Sequence, residues 1–206
     1  MNRRNYQIEL DHTIEENQRQ GRIPRLLLHS CCAPCSSYVL EYLSEYFEIT
    51  VYYFNPNIYP GEEYHKRVTE QEMLIRSIPH KNPIELVDGA FEPEAFYRAV
   101  RGHEDDKEGG ERCFLCYRLR LSEAAKIAAA GKYDYFTTTH SISPLKTAEK
   151  LTEIGEELAE EYGIAYLSSD FKKRNGYKRS VELSEKYGLY RQDYCGCVFS
   201  RREREA

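Results

Sequence analysis

Leu26-Leu27-Leu28-His29-Ser30-Cys31-Cys32-Ala33-Pro34-Cys35-Ser36-Ser37 is the stretch on which the reading of this chain turns. The three leucines behind the breaker Pro24 form a short continuous apolar run, which fits a strand buried on both faces, although periodicity alone leaves a buried helical segment open. Pro34 suits the first turn of a following helix, where its missing N–H costs nothing, and Tyr38, Val39, Leu40 and Leu43 continue at helical spacing. The cysteines then occupy a strand-to-helix turn. In an open α/β sheet such a turn lies at the carboxyl ends of the strands, where ligands bind. A helix N-terminus there favours thiolate, the form that ligates metals and attacks electrophiles.

Working outward, residues 6 to 20 carry Ile8, Leu10 and Ile14 among many charges and read as a weakly amphipathic outer helix. Ile49 to Phe54 is β-branched and aromatic, a second strand ended by the turn Asn55-Pro56-Asn57-Ile58-Tyr59-Pro60-Gly61. Glu62 to Ser77 is predicted helical, with Tyr64, Val68 and Leu74 or Ile75 as its buried stripe. Pro83 opens a third strand, Ile84 to Val87, and Pro93 to Val100 is a short helix. Gly102 to Gly110 is charged and glycine-rich, a flexible surface loop leading into Cys113-Phe114-Leu115-Cys116 at the start of a helix that runs to about Ala130. Tyr135 to Thr138 is a fourth strand, Lys146 to Tyr162 the clearest helix, and Ile164 to Leu167 a fifth strand. Strands alternating with helices predict an α/β fold with a doubly wound parallel five-stranded sheet and helices on both faces. Ser180 to Tyr187 is a further short helix. The expected organisation is one domain over residues 1–206, with a helical extension at 1–23 and a tail at 170–206 that folds back over the site.

The 206 residues, 41% hydrophobic and 31% charged, suffice for one full core. No apolar run is long enough for a membrane span, no secretory leader is read at the start, and a cytoplasmic location is expected. Seven cysteines in such a chain argue for metal or redox chemistry ahead of a disulfide framework. A net charge of −5 neither advertises nucleic acid binding nor forbids it, because clustering and not the sum decides.

Cys31 and Cys32 plus Cys113-x-x-Cys116 supply four thiolates, which suits tetrahedral zinc or an iron–sulfur cluster, and spacing does not separate the two. Cysteine is also among the most buried residue types, so a single one is as readily a core residue. Cys195-Gly196-Cys197 is what a purely structural zinc site does not need; two cysteines separated by glycine fit a strained, reducible disulfide of the labile kind. Cys35 is left over, a core thiol or a ligand to a second metal. Asp170 to Arg179 interleaves Lys172, Lys173, Arg174, Lys178 and Arg179 with Phe171 and Tyr177, a phosphate-gripping and base-stacking surface or equally a solvated loop. Asn55, Asn57 and Tyr59 either hold a ligand or form an ordinary turn. His140 is expected to be a satisfied hydrogen-bonding residue and not a base.

Taken in order, HSCCAPCSS, NPNIYP followed by Glu63 and Tyr64, ERCFLCYRLRL, TTTHSISP, DFKKRNGYKRS and YCGCVFS resemble the QueH family, the cobalamin-independent epoxyqueuosine reductases, from about residue 24 to residue 200. The resemblance implies a fold like that of adenine-nucleotide hydrolase-like, HUP/PP-loop-like enzymes, with sheet order 3-2-1-4-5. Ser30 to Cys35 stand where those relatives carry a pyrophosphate loop, so no ATP is expected, and no cobalamin. It further implies the last step of queuosine synthesis, reduction of epoxyqueuosine at the wobble position of a tRNA, with an unnamed electron donor. By similarity Cys31, Cys32, Cys113 and Cys116 hold a [4Fe–4S] cluster, Cys195 and Cys197 are the redox-active pair, and Cys35 serves an additional mononuclear iron. Asn55, Asn57, Tyr59, Lys172, Lys173, Arg174, Tyr177 and Arg179 are the expected substrate-binding residues. Two other readings stand beside this one: a zinc-stabilised RNA-binding module without redox turnover, and a cluster-dependent tRNA thiolation enzyme.

Overall fold

The leucine run forms β1 (Arg25–His29), and it is buried on both sides because successive side chains leave a strand on opposite faces. Leu26 and Leu28 enter one core with Leu10, Ile14, Val39, Leu40, Val51 and Leu74, while Leu27 enters another with Leu121, Ala124, Phe136, Leu151 and Leu158. Each leucine is fully buried, a contribution of roughly 1.5–3 kcal/mol apiece. The computed structural model describes residues 4–205.

Around β1 the chain is wound as an all-parallel sheet. β2 (Glu48–Tyr53) pairs on one side and is followed outward by β3 (Ile84–Asp88); β4 (Tyr135–Thr138) pairs on the other, followed by β5 (Ala165–Tyr166). The order is β3-β2-β1-β4-β5. The switch point therefore falls at β1, where the two halves of the sheet diverge and a crevice opens at the carboxyl ends. Leu27 sits in register with Thr50 and Phe136.

On the first face lie α1 (Tyr6–Arg19), α2 (Ala33–Leu43) and α3 (Gly61–Ser77), joined by α7 (Gly176–Lys186), which packs along α2. On the second lie α5 (Glu111–Ala130) and α6 (Ala148–Tyr162), packed on each other. The short α4 (Pro93–Ala99) and a last helix, α8 (Val198–Glu205), share a small cluster built from Phe96, Val100, Cys116, Cys197 and Phe199. No helix among the described residues is long and apolar enough to cross a membrane.

Several sequence expectations need correction. Ile8 is exposed, and α1 buries Gln7 and Asn17 beside Leu10 and Ile14, because the helix meets the sheet near polar groups such as the Tyr135 hydroxyl. The buried side of α3 is broader than its apolar stripe and includes Arg67 and Glu70, which the C-terminal tail meets, and Gln71, which meets Ser30 and Ser36. α7 begins at Gly176, so Tyr177, Lys178 and Arg179 are helical. A Cβ at Gly176 would lie 2.0 Å from the Phe171 carbonyl oxygen, and only glycine lets the helix start so close to the preceding loop. The fifth strand shrinks to two residues, although Leu167 still donates to Phe136 O at 2.9 Å and accepts from Thr137 Oγ1 at 2.8 Å. The loop from Gly102 to Gly110 lies at the surface but is tied down: Arg112 donates to Glu104 O at 2.8 Å and to Glu203 of α8 at 2.7 Å.

Candidate active site at the carboxyl ends of the strands

The turn after β1 is held from below. Ser30 and Ser36 both reach Gln71 Oε1 of α3 at 2.8 Å, Ser36 Oγ donates to Cys32 O at 2.9 Å, and Tyr53 Oη donates to Cys31 O at 3.3 Å. Cys32 caps α2 in an extended conformation and Pro34 occupies its first turn. The result is that the sulfurs of Cys31, Cys32 and Cys35 all lie within 4.8 Å of one another. Thiolates around a single tetrahedral ion with bonds of about 2.3 Å stand roughly 3.8 Å apart, so this triad fits one metal ion after small adjustment. Thiol hydrogen bonds from Cys32 and Cys35, helped by the Lys146 charge, hold Cys31 well below the ordinary thiol range. The same hydrogen bonds push Cys32 up to about 12 and raise Cys35, so of the three thiols Cys31 is the one that favours the thiolate.

Cys113 and Cys116 lie in the first turns of α5 and line a small pocket with Cys195, Cys197 and Asn57. Burial pushes Cys113 up to about 11 and Cys116 up to about 12. The seven thiols thus fall into a triad (Cys31, Cys32, Cys35) and a group of four (Cys113, Cys116, Cys195, Cys197). Cys195 links them, because it also lines a cleft of about 400 Å³ shared with the triad. That cleft is of a size that takes a small ligand. Its other walls include Arg67, Lys146, Tyr177, Arg191, Asp193 and Tyr194.

The tail reaches this place through the turn after β2. Tyr59 N donates to Gly196 O at 2.8 Å, Tyr194 Oη donates to Tyr59 O at 2.7 Å, and Arg67 reaches the Cys195 carbonyl at 3.5 Å. Gly196 has φ +121°, and a Cβ there would meet Arg67 Nη1 at 3.2 Å and Ile58 Cγ1 at 3.3 Å. Only glycine fits between the two cysteines. The structure therefore places Asn55, Asn57 and Tyr59 as follows. Asn55 is buried, donating to Ser30 O at 2.9 Å and accepting from Arg120. Asn57 is buried with Oδ1 unpartnered, and Tyr59 supports the Cys-Gly-Cys turn while remaining 44% exposed.

The basic segment is mostly committed within the protein. Arg174 pairs with Asp11 of α1, Arg179 with Glu41 at 2.7 Å and Glu182 at 3.2 Å. Lys172 pairs with Asp170 at 2.9 Å and also donates to Ser141 O at 2.9 Å and Lys146 O at 3.3 Å. Lys173 and Lys178 are exposed, and Tyr177 stands at the cleft under the Arg191 guanidinium, 5.9 Å from its ring.

Four residues carry more of the site than their sequence context suggested. Arg67 and Arg120 are almost fully buried, and each keeps one guanidinium nitrogen without a partner, Nη2 and Nε respectively. Arg120 lies 3.8 Å from Cys116 Sγ, one helical turn along α5, and Arg67 carries an ion pair of 2.7 Å with Glu63. Burial alone would lower Lys146, but the charges of Cys195 and Cys31 outweigh it and raise it. His140 is a correction: it is fully buried, and neither ring nitrogen has a hydrogen-bond partner. It stands 5.2 Å from His29 and 5.4 Å from Tyr117 and faces Cys31, a place in the thiol pocket and not in a saturated core network. A cation at i+4 from Cys116 on the buried side of a helix was the signal available for Arg120; nothing local marked Arg67 or Lys146.

Comparison with known proteins agrees with this geometry. A family model described as epoxyqueuosine reductase QueH matches residues 26–203. A relative of that name from Staphylococcus epidermidis is 41% identical over 95% of this chain and 84% of its own length. One from Staphylococcus aureus is 42% identical over 95% and 83%. The relative from Thermotoga maritima is 33% identical over 88% of this chain and 94% of its own length. With the match running from β1 through the Cys-Gly-Cys turn into α8, the chain belongs to the QueH family.

Proposed function

We propose that this chain reduces epoxyqueuosine to queuosine at the wobble position of tRNA, as an oxidoreductase of the cytoplasm that draws electrons from a separate donor. The observation that carries this reading is the convergence of all three cysteine groups on the carboxyl edge of the sheet, in a chain of this family. Residues 1–206 act as one unit, with 1–23 as a helical extension and 170–206 closing over the site.

Removal of the epoxide oxygen needs two electrons and two protons: epoxide plus two thiols gives alkene, disulfide and water. Cys195 and Cys197 are the dithiol with that stoichiometry. Their turn is positioned by Gly196, Tyr59, Tyr194 and Arg67 at the mouth of the cleft. By similarity to the family, Cys31, Cys32, Cys113 and Cys116 would hold a [4Fe–4S] cluster, and Cys35, beside Cys31 and Cys32, would serve an additional iron. The buried cations Arg67 and Arg120 suit such an anionic assembly, since each keeps a guanidinium nitrogen without a partner in a low-dielectric site. Bound there, these groups supply single electrons and a Lewis acid for the departing oxygen. Tyr177 and Tyr59 stack on the extruded base, and Lys173, Arg174 and Arg179 approach the anticodon phosphates, while Lys172 is engaged by Asp170 and two backbone carbonyls.

The test is anaerobic purification with iron and sulfide analysis, then incubation with epoxyqueuosine-tRNA and a reductant. Queuosine should appear; zinc without acid-labile sulfide and no turnover would favour the RNA-binding module instead. Cys195→Ser should keep the visible absorption of the cluster and abolish turnover. The charge reversal Lys173→Glu plus Arg174→Glu should weaken binding of that tRNA at moderate salt, and unchanged binding would remove these residues from the interface.

A further inference from the structure

Four cations line the cleft that holds the triad and Cys195: Arg67, Lys146, Arg191 and Arg204. Three are engaged. Arg67 pairs with Glu63 at 2.7 Å, Arg191 donates to Ser184 Oγ at 3.1 Å, and Arg204 faces Glu108 at 3.8 Å. Among the described residues, the Lys146 ammonium has neither a hydrogen bond nor an ion pair; its contact is the face of Tyr117, 6.0 Å from the ring centre. The backbone that delivers it is nevertheless braced, with Lys146 N donating to Ser143 O at 3.2 Å and Lys172 Nζ donating to Lys146 O at 3.3 Å. A solvated surface lysine needs no such bracing. Here a half-buried ammonium with three free N–H groups lines the same cleft as Cys31 and Cys195.

We propose that Lys146 is a catalytic residue of the reduction, its ammonium donating a hydrogen bond to the epoxide oxygen and stabilising the negative charge that develops there as the carbon–oxygen bond breaks. This rests on the function proposed above. The two electrons come from Cys195 and Cys197, which close a disulfide. Their two protons leave with the oxygen as water, and Lys146 ends the turnover in the charge state in which it began. The role is that of an oxyanion donor: a fixed charge aimed at the atom where charge appears, in a site with little water. Lys172 then acts as a positioning residue, bound to the backbone of the turn that presents the ammonium.

Lys146→Met keeps the aliphatic stem and removes the donor. It should lower turnover by about 10²-fold or more, the usual cost of one oxyanion donor. Iron and sulfide content and the thermal midpoint should match the parent chain. The preference for epoxyqueuosine-tRNA over queuosine-tRNA in binding should shrink, because only the former carries the oxygen. In Lys146→Ala, ethylammonium chloride should restore part of the lost rate, and ethanol at the same concentration should not. Lys146→Gln serves if either variant misfolds. Turnover within about threefold of the parent, loss of iron together with turnover, or indifference to ethylammonium would each overturn the assignment. If the parent chain fails to reduce epoxyqueuosine-tRNA, the proposed function falls and this inference with it; an active parent with an active Lys146→Met variant removes the inference alone.

Discussion

Two sets of cations divide the work of this molecule differently. Arg174 and Arg179 belong to the basic segment that stands out in the sequence, yet they are tied to Asp11 of α1, Glu41 of α2 and Glu182 of α7. Arg67 on α3 and Arg120 on α5 are almost fully buried and face the thiols from inside, each with a guanidinium nitrogen left unpartnered. A charge in water is inexpensive to pair and adds little. A charge in the interior persists only where something of opposite sign repays its desolvation, and here the thiolates have that sign.

The comparison is broken most directly at Arg120. Arg120→Met removes the cation beside Cys116 and the partner of Asn55 Oδ1, and should cost about 3–5 kcal/mol of unfolding free energy together with bound iron. Chemical denaturation and metal analysis check it; an unchanged midpoint with full iron would show that the inner cations are ordinary packing.

Acid should strike the interior next. His29 is pushed down to about 3 by burial and by Arg120, and burial, Lys146 and Arg120 also lower His140. Folded, both bind fewer protons than in the unfolded chain, so stability is full above about pH 6.5 and falls as pH drops through the window towards 3, by up to roughly 1.4 kcal/mol per pH unit for each histidine. Urea midpoints from pH 7 to pH 4 should show this slope, and His140→Asn should flatten it.

Gly196→Ala should cost about 1–3 kcal/mol, since φ +121° strains any residue with a Cβ. It should also slow turnover by displacing Cys195 and Cys197. The smallest effect belongs to the outer set: Arg174→Ala or Arg179→Ala should change stability by no more than about 1 kcal/mol, less at high salt, because these guanidinium groups are 59% and 41% exposed. A loss as large as that of Arg120→Met would erase the distinction between the two sets.

What could be read directly was whatever depends on neighbours in the chain. Leu26 to Leu28 followed by Pro34 sufficed for strand, turn and helix, and the alternation of such units led to a parallel sheet. The Gly176 start of α7 escaped because its cause is a carbonyl five residues back and the ring of Tyr38, which no window of propensity contains.

The sequence by itself determined the winding of the fold and the existence of three cysteine groups, since apolar periodicity, prolines and short spacings are local properties of a chain. Tertiary structure decided which thiols are neighbours: Cys35 stands with Cys31 and Cys32, and Cys195 and Cys197 stand with Cys113 and Cys116. It also decided that a lysine before α6 and two arginines on α3 and α5 face them. These are contacts between residues far apart in the chain, made only when parallel strands bring their carboxyl ends to one edge, and no local pattern encodes the distance between them.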